Sequence, residues 1–256
     1  MTGVLPIALE DATKILQALL LTGKEYVCVM QLHSSVPDGL VQQVLSEFVG
    51  EIYQRPPLRS SVKRRIRTRW IYQINFLEMQ GNNVLFSVSC QAGTYIRKLC
   101  HDIGEALGCG AHMRELRRIR TGPFTEEKLS TLYDLADACA AWMEKGDESL
   151  LRKLISPMEF GLSLLPKIYV RDSAVDAICH GASLAIPGVV KVETGIKSGD
   201  IVAVFTQKGE AIALAKALLS TEDILDLDHG LVAKTERVIM PPGTYPRMWR
   251  SRQKSK

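Results

Sequence analysis

Between Val4 and Leu20 the apolar positions recur near i, i+3 and i+4, the spacing that buries one face of a helix, so residues 4–20 are expected to be helical, with Gly23 as the stop. Residues 25–33 (EYVCVMQLH) are rich in β-branched, aromatic and sulphur side chains and predict a buried strand. Asp38 is placed to cap a helix over 39–49 that ends at Gly50, and a proline pair makes 51–65 a loop. Strands are expected over 67–79 and 83–90, turned by Gly81-Asn82-Asn83, with Val84, Phe86, Val88 and Cys90 on one face.

From Gly93-Thr94 the period changes. Ile96, Leu99, Cys100, Ile103, Ala106 and Leu107 form one helical stripe, closed by Gly108-Cys109-Gly110. Residues 112–121 fit strand or helix by pattern; their place between Gly110 and Gly122-Pro123 favours a strand. A helical stretch over 126–154 and a connector from Pro157 to Pro166 follow, and 167–240 then turn to short β runs such as 201–205. No βαβ rhythm runs through this order, so the fold class is α+β. Three parts are expected: residues 1–160, a mostly β domain over 166–245, and a basic tail over 246–256.

The composition of the 256 residues, 46% hydrophobic and 23% charged, excludes a disordered chain. No apolar run reaches the roughly 18 residues of a membrane span, so no membrane partner is expected. Six scattered cysteines argue against a disulfide framework and for a reducing compartment. The net charge of +4 is small, but its placement is uneven. Arg55, Arg59, Lys63, Arg64, Arg65, Arg67 and Arg69 follow one another without an acid, and the tail holds Arg247, Arg250, Arg252, Lys254 and Lys256, again without one. Like charges so concentrated repel unless something neutralises them, which points to a polyanion. For the tail, a frayed and solvated end serves equally well.

Arg97 falls in the first turn of its helix, where the dipole disfavours a cation by about 0.3–1 kcal/mol. It therefore calls for a compensating partner, such as a carboxylate held bidentately, or else for an exposed head on a packed stem. Tyr26, at the start of a strand, could stack on a nucleobase or simply fill the core. Cys109 and His112, with Cys100 and His101 nearby, only superficially resemble metal ligands. Cys109 sits within a glycine stop and the chain has no C-x-x-C, so no metal is expected. His33, His180 and His229 have no Ser or Cys partner for a triad, and no phosphate-binding or dinucleotide fingerprint occurs.

The segments TGVLPIALEDATK (2–14), GKEYVCVMQLH (23–33), EIYQRPPLRSSVKRR (51–65), AGTYIRKLCHDIGEALGCGAHMRELRR (92–118) and TGPF (121–124) resemble the TruB family of RNA pseudouridine synthases. They are most similar to its dyskerin-type branch, the catalytic subunit of H/ACA guide-RNA particles, and residues from Lys167 to Tyr245 are similar to that branch's PUA domain. The resemblance implies a largely antiparallel mixed sheet with flanking helices, a small RNA-binding β-barrel, and isomerisation of uridine to pseudouridine in tRNA or rRNA without cofactor or metal. The target base is flipped out of its stack. Tyr26 matches the tyrosine that packs on that base, Arg97 the arginine that pairs with the catalytic aspartate, and Leu116 an apolar residue lining the uracil pocket. Arg97 is thus expected in a cleft beside Tyr26. Lys24, Arg55, Arg59, Lys63, Arg64, Arg65, Arg117 and Arg118 are the residues the resemblance assigns to RNA.

In one respect the chain departs from the family pattern. The aspartate loop lies just before the T-G-V-L-P match, and here no carboxylate precedes Glu10. Glu10 and Asp11 match the helix after the loop and are not substitutes for it. These residues are therefore expected to be the larger C-terminal part of an enzyme, inactive alone. Implied partners are a guide RNA, a tRNA or rRNA substrate, and three small particle proteins: a zinc-ribbon peptide, a β-barrel protein and a kink-turn binder. Rival readings are a non-catalytic RNA-binding scaffold and a stand-alone tRNA synthase. The implied setting is cytoplasmic for an archaeal source and nucleolar for a eukaryotic one.

Overall fold

The computed structural model describes residues 1–56, 63 and 65–248. The first apolar stretch is not one helix. Thr2–Gly3 (β1) pairs in parallel with a later strand, and the Val4 N–H bonds the Arg118 carbonyl at 2.8 Å, which keeps this end extended. Pro6 reinforces that, because its ring disfavours helical geometry at Leu5. Only at Glu10–Ile15 does a 3-10 turn begin, running into α1 (Leu16–Leu21).

The chain forms two compact units, residues 1–7 with 20–133 and residues 8–19 with 134–256. In the first, β2 (Lys24–Leu32) is followed by α2 (Asp38–Glu47), β3 (Gly50–Gln54), β4 (Arg67–Gln80), β5 (Asn83–Cys90), α3 (Ile96–Ala106), β6 (Ala111–Thr121) and β7 (Phe124–Thr125). The strands make one seven-stranded sheet in the order β1-β6-β2-β5-β4-β3, with β7 folded back on β6. All neighbours are antiparallel except β1 and β6.

Two expectations for this unit are corrected. Residues 50–54 are a strand rather than loop, because backbone pairing with β4 outweighs the nearby prolines. Asp38 is the first residue of α2 and Pro37 its N-cap, which makes no side-chain capping bond. The alternation read along 84–90 holds: Val84, Phe86, Val88 and Cys90 are all buried and pack with Leu99, Cys100 and Ile103 of α3. Gly81 turns the hairpin at φ +57°, a conformation other residues adopt at a cost. Gly104 lets α3 close on β6, since a Cβ there would stand 2.1 Å from the Ala111 nitrogen.

The expected helix over 126–154 is broken into a 3-10 turn at Glu126–Lys128, which belongs to the first unit, and α4 (Leu132–Lys145) and α5 (Ser149–Leu154), which lie essentially in the second, where the connector contains α6 (Met158–Gly161). Gly146 at φ +69° marks the break between α4 and α5. Then come β8 (Lys167–Val170), α7 (Asp172–Cys179), β9 (Leu184–Ala185), β10 (Val189–Val192), β11 (Ile201–Thr206), β12 (Ala211–Ala217), α8 (Thr221–Asp226) and β13 (Leu231–Val238). The six strands run β10-β8-β11-β12-β13-β9 around a core that includes Ile168, Val202, Ile212 and Val232. No helix among the described residues is long and apolar enough to cross a membrane.

Candidate active site

Side chains alternate across a strand, so register decides which residues meet. In the β2–β6 ladder Tyr26 stands opposite Arg118, Val27 opposite Arg117 and Cys28 opposite Leu116. Tyr26, Cys28, Leu116 and Arg118 therefore share one face and Arg117 lies on the other. The shared face meets α3: Cys28 Sγ lies 3.6 Å from Cys100 Sγ, and Tyr26 and Leu116 pack half-buried against the cluster holding Ile96, Leu99 and Cys100.

Burial raises the Tyr26 phenol above its ordinary pKa, while the Arg118 guanidinium, hydrogen-bonded to it, pulls the other way. The ring is thus a neutral, half-sheltered platform at neutral pH. Arg118 is engaged twice, because its Nε also donates to the Val4 carbonyl at 2.6 Å. Lys24 is similarly enclosed: its Nζ donates to the carbonyls of Leu20 (2.9 Å) and Thr22 (2.7 Å). Burial, and then the charge of Arg118, lower the Lys24 pKa. Next to this group, Glu25 binds Arg120 at 2.6 Å, and that bond holds its carboxyl below the usual range. Arg117 pairs with Glu126.

Arg97 is the second residue of α3 and is exposed. No acid lies in its helical turn, and among the described residues it has no ion-pair partner. Solvation of an exposed guanidinium offsets the dipole's repulsion, so the carboxylate that its position called for is not found within these residues. Of the basic segment, Arg55, Lys63 and Arg65 are exposed and Arg67 and Arg69 are half-buried, while Arg59 and Arg64 lie outside the described residues, as do Arg250, Arg252, Lys254 and Lys256.

Two features were missed in the sequence. Gln54, inward on the edge strand β3, hydrogen-bonds both backbone groups of Tyr95, the N-cap of α3. Its signal was parity with Ile52, visible only once 50–54 is known to be a strand. The other is a cleft of about 360 Å³ among Glu51, Thr68, Arg69, Trp70, Tyr72 and Gln91, which includes none of Tyr26, Arg97 and Leu116. His112 and His33 share a hydrogen bond between Nδ1 and Nε2 at 3.0 Å, while the Cys109 thiol turns to the Gly110 carbonyl. Among the described residues no three His, Cys, Asp or Glu side chains gather as a metal site.

The first unit thus holds a half-sheltered aromatic platform with an apolar neighbour and cations around it, and the second is built on a six-stranded sheet. Residues 97–163 match the C-terminal domain of tRNA pseudouridylate synthase B, 166–239 the PUA domain, and 5–108 the C-terminal region of Pus10. The chain belongs to the TruB family of pseudouridine synthases, with a PUA domain, and its relatives are of the dyskerin type. A probable tRNA pseudouridine synthase B of Methanopyrus kandleri is 60% identical over 97% of this chain and 73% of its own length. That of Pyrococcus furiosus is 54% identical over 99% and 75%. Among solved structures, Cbf5 in a Cbf5-Nop10-Gar1 complex superposes with a TM-score of 0.92 at 54% identity, covering 96% of this chain and 75% of that one. An H/ACA RNP bound to a substrate RNA containing 2′-deoxyuridine gives 0.90 at 51%, with 96% and 75% covered. The chain thus spans about three quarters of the length of these relatives.

Proposed function

We propose that this protein isomerises uridine to pseudouridine in RNA selected by an H/ACA guide, with Nop10- and Gar1-like proteins as partners. In the reaction the N1–C1′ bond of the target uridine breaks, the base rotates, and a C5–C1′ bond forms. The C5 proton leaves to solvent and N1 regains one, so the product is an isomer. Tyr26 would pack on the flipped base, Leu116 would line the uracil, and Arg97, exposed on the helix beside them, would hold the catalytic carboxylate. Lys24, Arg117 and Arg118 border that face; their ties to Leu20, Thr22, Glu126 and Val4 suit them to shaping the pocket edge as much as to gripping phosphate. The side chains of Arg55, Lys63 and Arg65 are exposed and have no such ties among the described residues, which makes them the better candidates for the RNA backbone. The PUA domain would hold the guide's 3′ end. The archaeal sources of the relatives favour a cytoplasmic setting.

The observation that carries this reading is the gathering of Tyr26, Leu116 and Arg118 on one strand pair beneath the helix of Arg97. It is tested by tritium release from C5-labelled uridine in a reconstituted guide-RNA particle. Release is expected from the protein in that particle, and its absence would refute the reading. Arg97, with no acid partner among the described residues, favours one rival, a non-catalytic RNA-binding scaffold, which would bind guide RNA without releasing tritium.

A further inference from the structure

Gln54 ends β3 with its side chain turned inward, 2% exposed, on the same side of the strand as Ile52. Its Oε1 accepts the Tyr95 backbone N–H at 2.9 Å, and its Nε2 donates to the Tyr95 carbonyl at 3.2 Å. A single side-chain amide thus satisfies both backbone groups of one residue, as the backbone of a neighbouring strand would. That residue is a junction. Tyr95 is the N-cap of α3, in extended geometry, and makes no side-chain capping bond. Its carbonyl also takes the N–H groups of Lys98 and Leu99, each at 3.0 Å, so the first turn of the helix hangs from it.

We propose that Gln54 is a positioning residue for uridine recognition, setting the register between Arg55, which follows it, and the helix start that carries Tyr95 and Arg97. The inference rests on reading this chain as a pseudouridine synthase. Chain connectivity makes the point: Arg55 follows Gln54 directly, and Arg97 lies two residues beyond Tyr95. One amide therefore ties Arg55, which the proposed function assigns to the RNA backbone, to the turn that carries Arg97, which it assigns to the catalytic carboxylate. A core that needed only filling would be served by an apolar side chain of the same length. A buried amide is retained where both of its ends are used. The exposed and half-buried cations can shift on flexible stems, whereas this link is short, enclosed and made to main chain at its far end.

The test compares binding of the full chain to two guide-paired RNAs that differ only at the target position, uridine or abasic ribose. The ratio of affinities reports seating of the base, and the abasic affinity reports backbone grip. Gln54→Met keeps the length and removes both bonds; it is expected to lower the ratio by roughly fivefold or more while changing abasic binding by less than about twofold. Gln54→Glu keeps the acceptor for the Tyr95 N–H, but once ionised it cannot donate to the carbonyl. Its ratio should recover towards the native value as pH falls and the carboxyl regains a proton, whereas the ratios of the native chain and of Gln54→Met should not. An unchanged ratio in Gln54→Met overturns the proposal. So does an equal loss of both affinities with a lowered melting temperature, which marks a merely structural residue. Should Gln54→Met not fold, the pH series of Gln54→Glu decides, and a flat series overturns the proposal. A native chain that binds both RNAs equally would instead overturn the pseudouridine synthase reading of the site, an outcome distinct from a discriminating native chain with an unaffected variant.

Discussion

The Glu25 carboxylate and the Arg120 guanidinium meet at 2.6 Å, each about one third exposed, on the strand pair that carries Tyr26. Hydrogen bonding to Arg120 holds the folded pKa of Glu25 below its unfolded value, so at acid pH the unfolded chain binds the extra proton. Stability from this pair is present above the unfolded pKa and lost as pH falls through the folded one. Thermal unfolding should therefore show a steeper loss of stability from about pH 5 downward in the native chain than in Glu25→Gln, the difference being about 0.5–1 kcal/mol after screening by solvent. Parallel curves would show that the pair adds nothing. At this scale motif resemblance assigned roles to Tyr26 and Leu116, but it said nothing of the contacts of Arg118. An arginine in a basic run reads as a phosphate ligand; only the β2–β6 register puts it against Tyr26, and only the pairing of β1 with β6 brings it the Val4 carbonyl.

Whole elements depend on close approaches that one residue permits. Where α3 turns into β6, Gly104 is buried and its carbonyl accepts the Gly110 N–H at 2.9 Å. A methyl group there would fall 2.1 Å from the Ala111 nitrogen and 2.6 Å from the Ala111 Cβ, atoms that cannot move independently of the strand. Gly104→Ala is expected to cost about 1–3 kcal/mol in denaturant unfolding, as overpacking does, although alanine is the better helix former. A stabilised variant would mean that α3 sits further from β6 than described. The helix itself was legible, because Ile96, Leu99, Cys100 and Ile103 recur at its period and are all buried. The 4–20 stretch shows the same period and fails at its start: pairing of Thr2 and Gly3 with β6 competes with helix formation, and a local pattern carries no trace of a partner more than a hundred residues away.

For the molecule as a whole, the proposed contact with RNA rests on the arrangement of charge. Arg55, Lys63 and Arg65 are exposed cations in a segment without acids. Replacing all three by alanine should flatten the dependence of log K on log salt for guide RNA by about 0.7–0.9 for each phosphate they neutralise. Filter binding across a salt series measures this, and an unchanged slope would remove the segment from the RNA interface. The acid-free basic run over 55–69 was readable in the order of charge. That Lys24 and Arg118 spend their donors on main chain was not, since burial is a property of the folded sheet.

Periodicity, turn residues and charge order, all properties of neighbours along the chain, determined where most strands and helices lie, that the fold is α+β, and which family the motifs belong to. Strand register, the inward turn of Gln54, the exposure of Arg97 and the enclosure of Arg118 arose only from the tertiary structure. Each depends on which distant backbone stands opposite, and that choice is made by packing and pairing across the sheet rather than by any local preference.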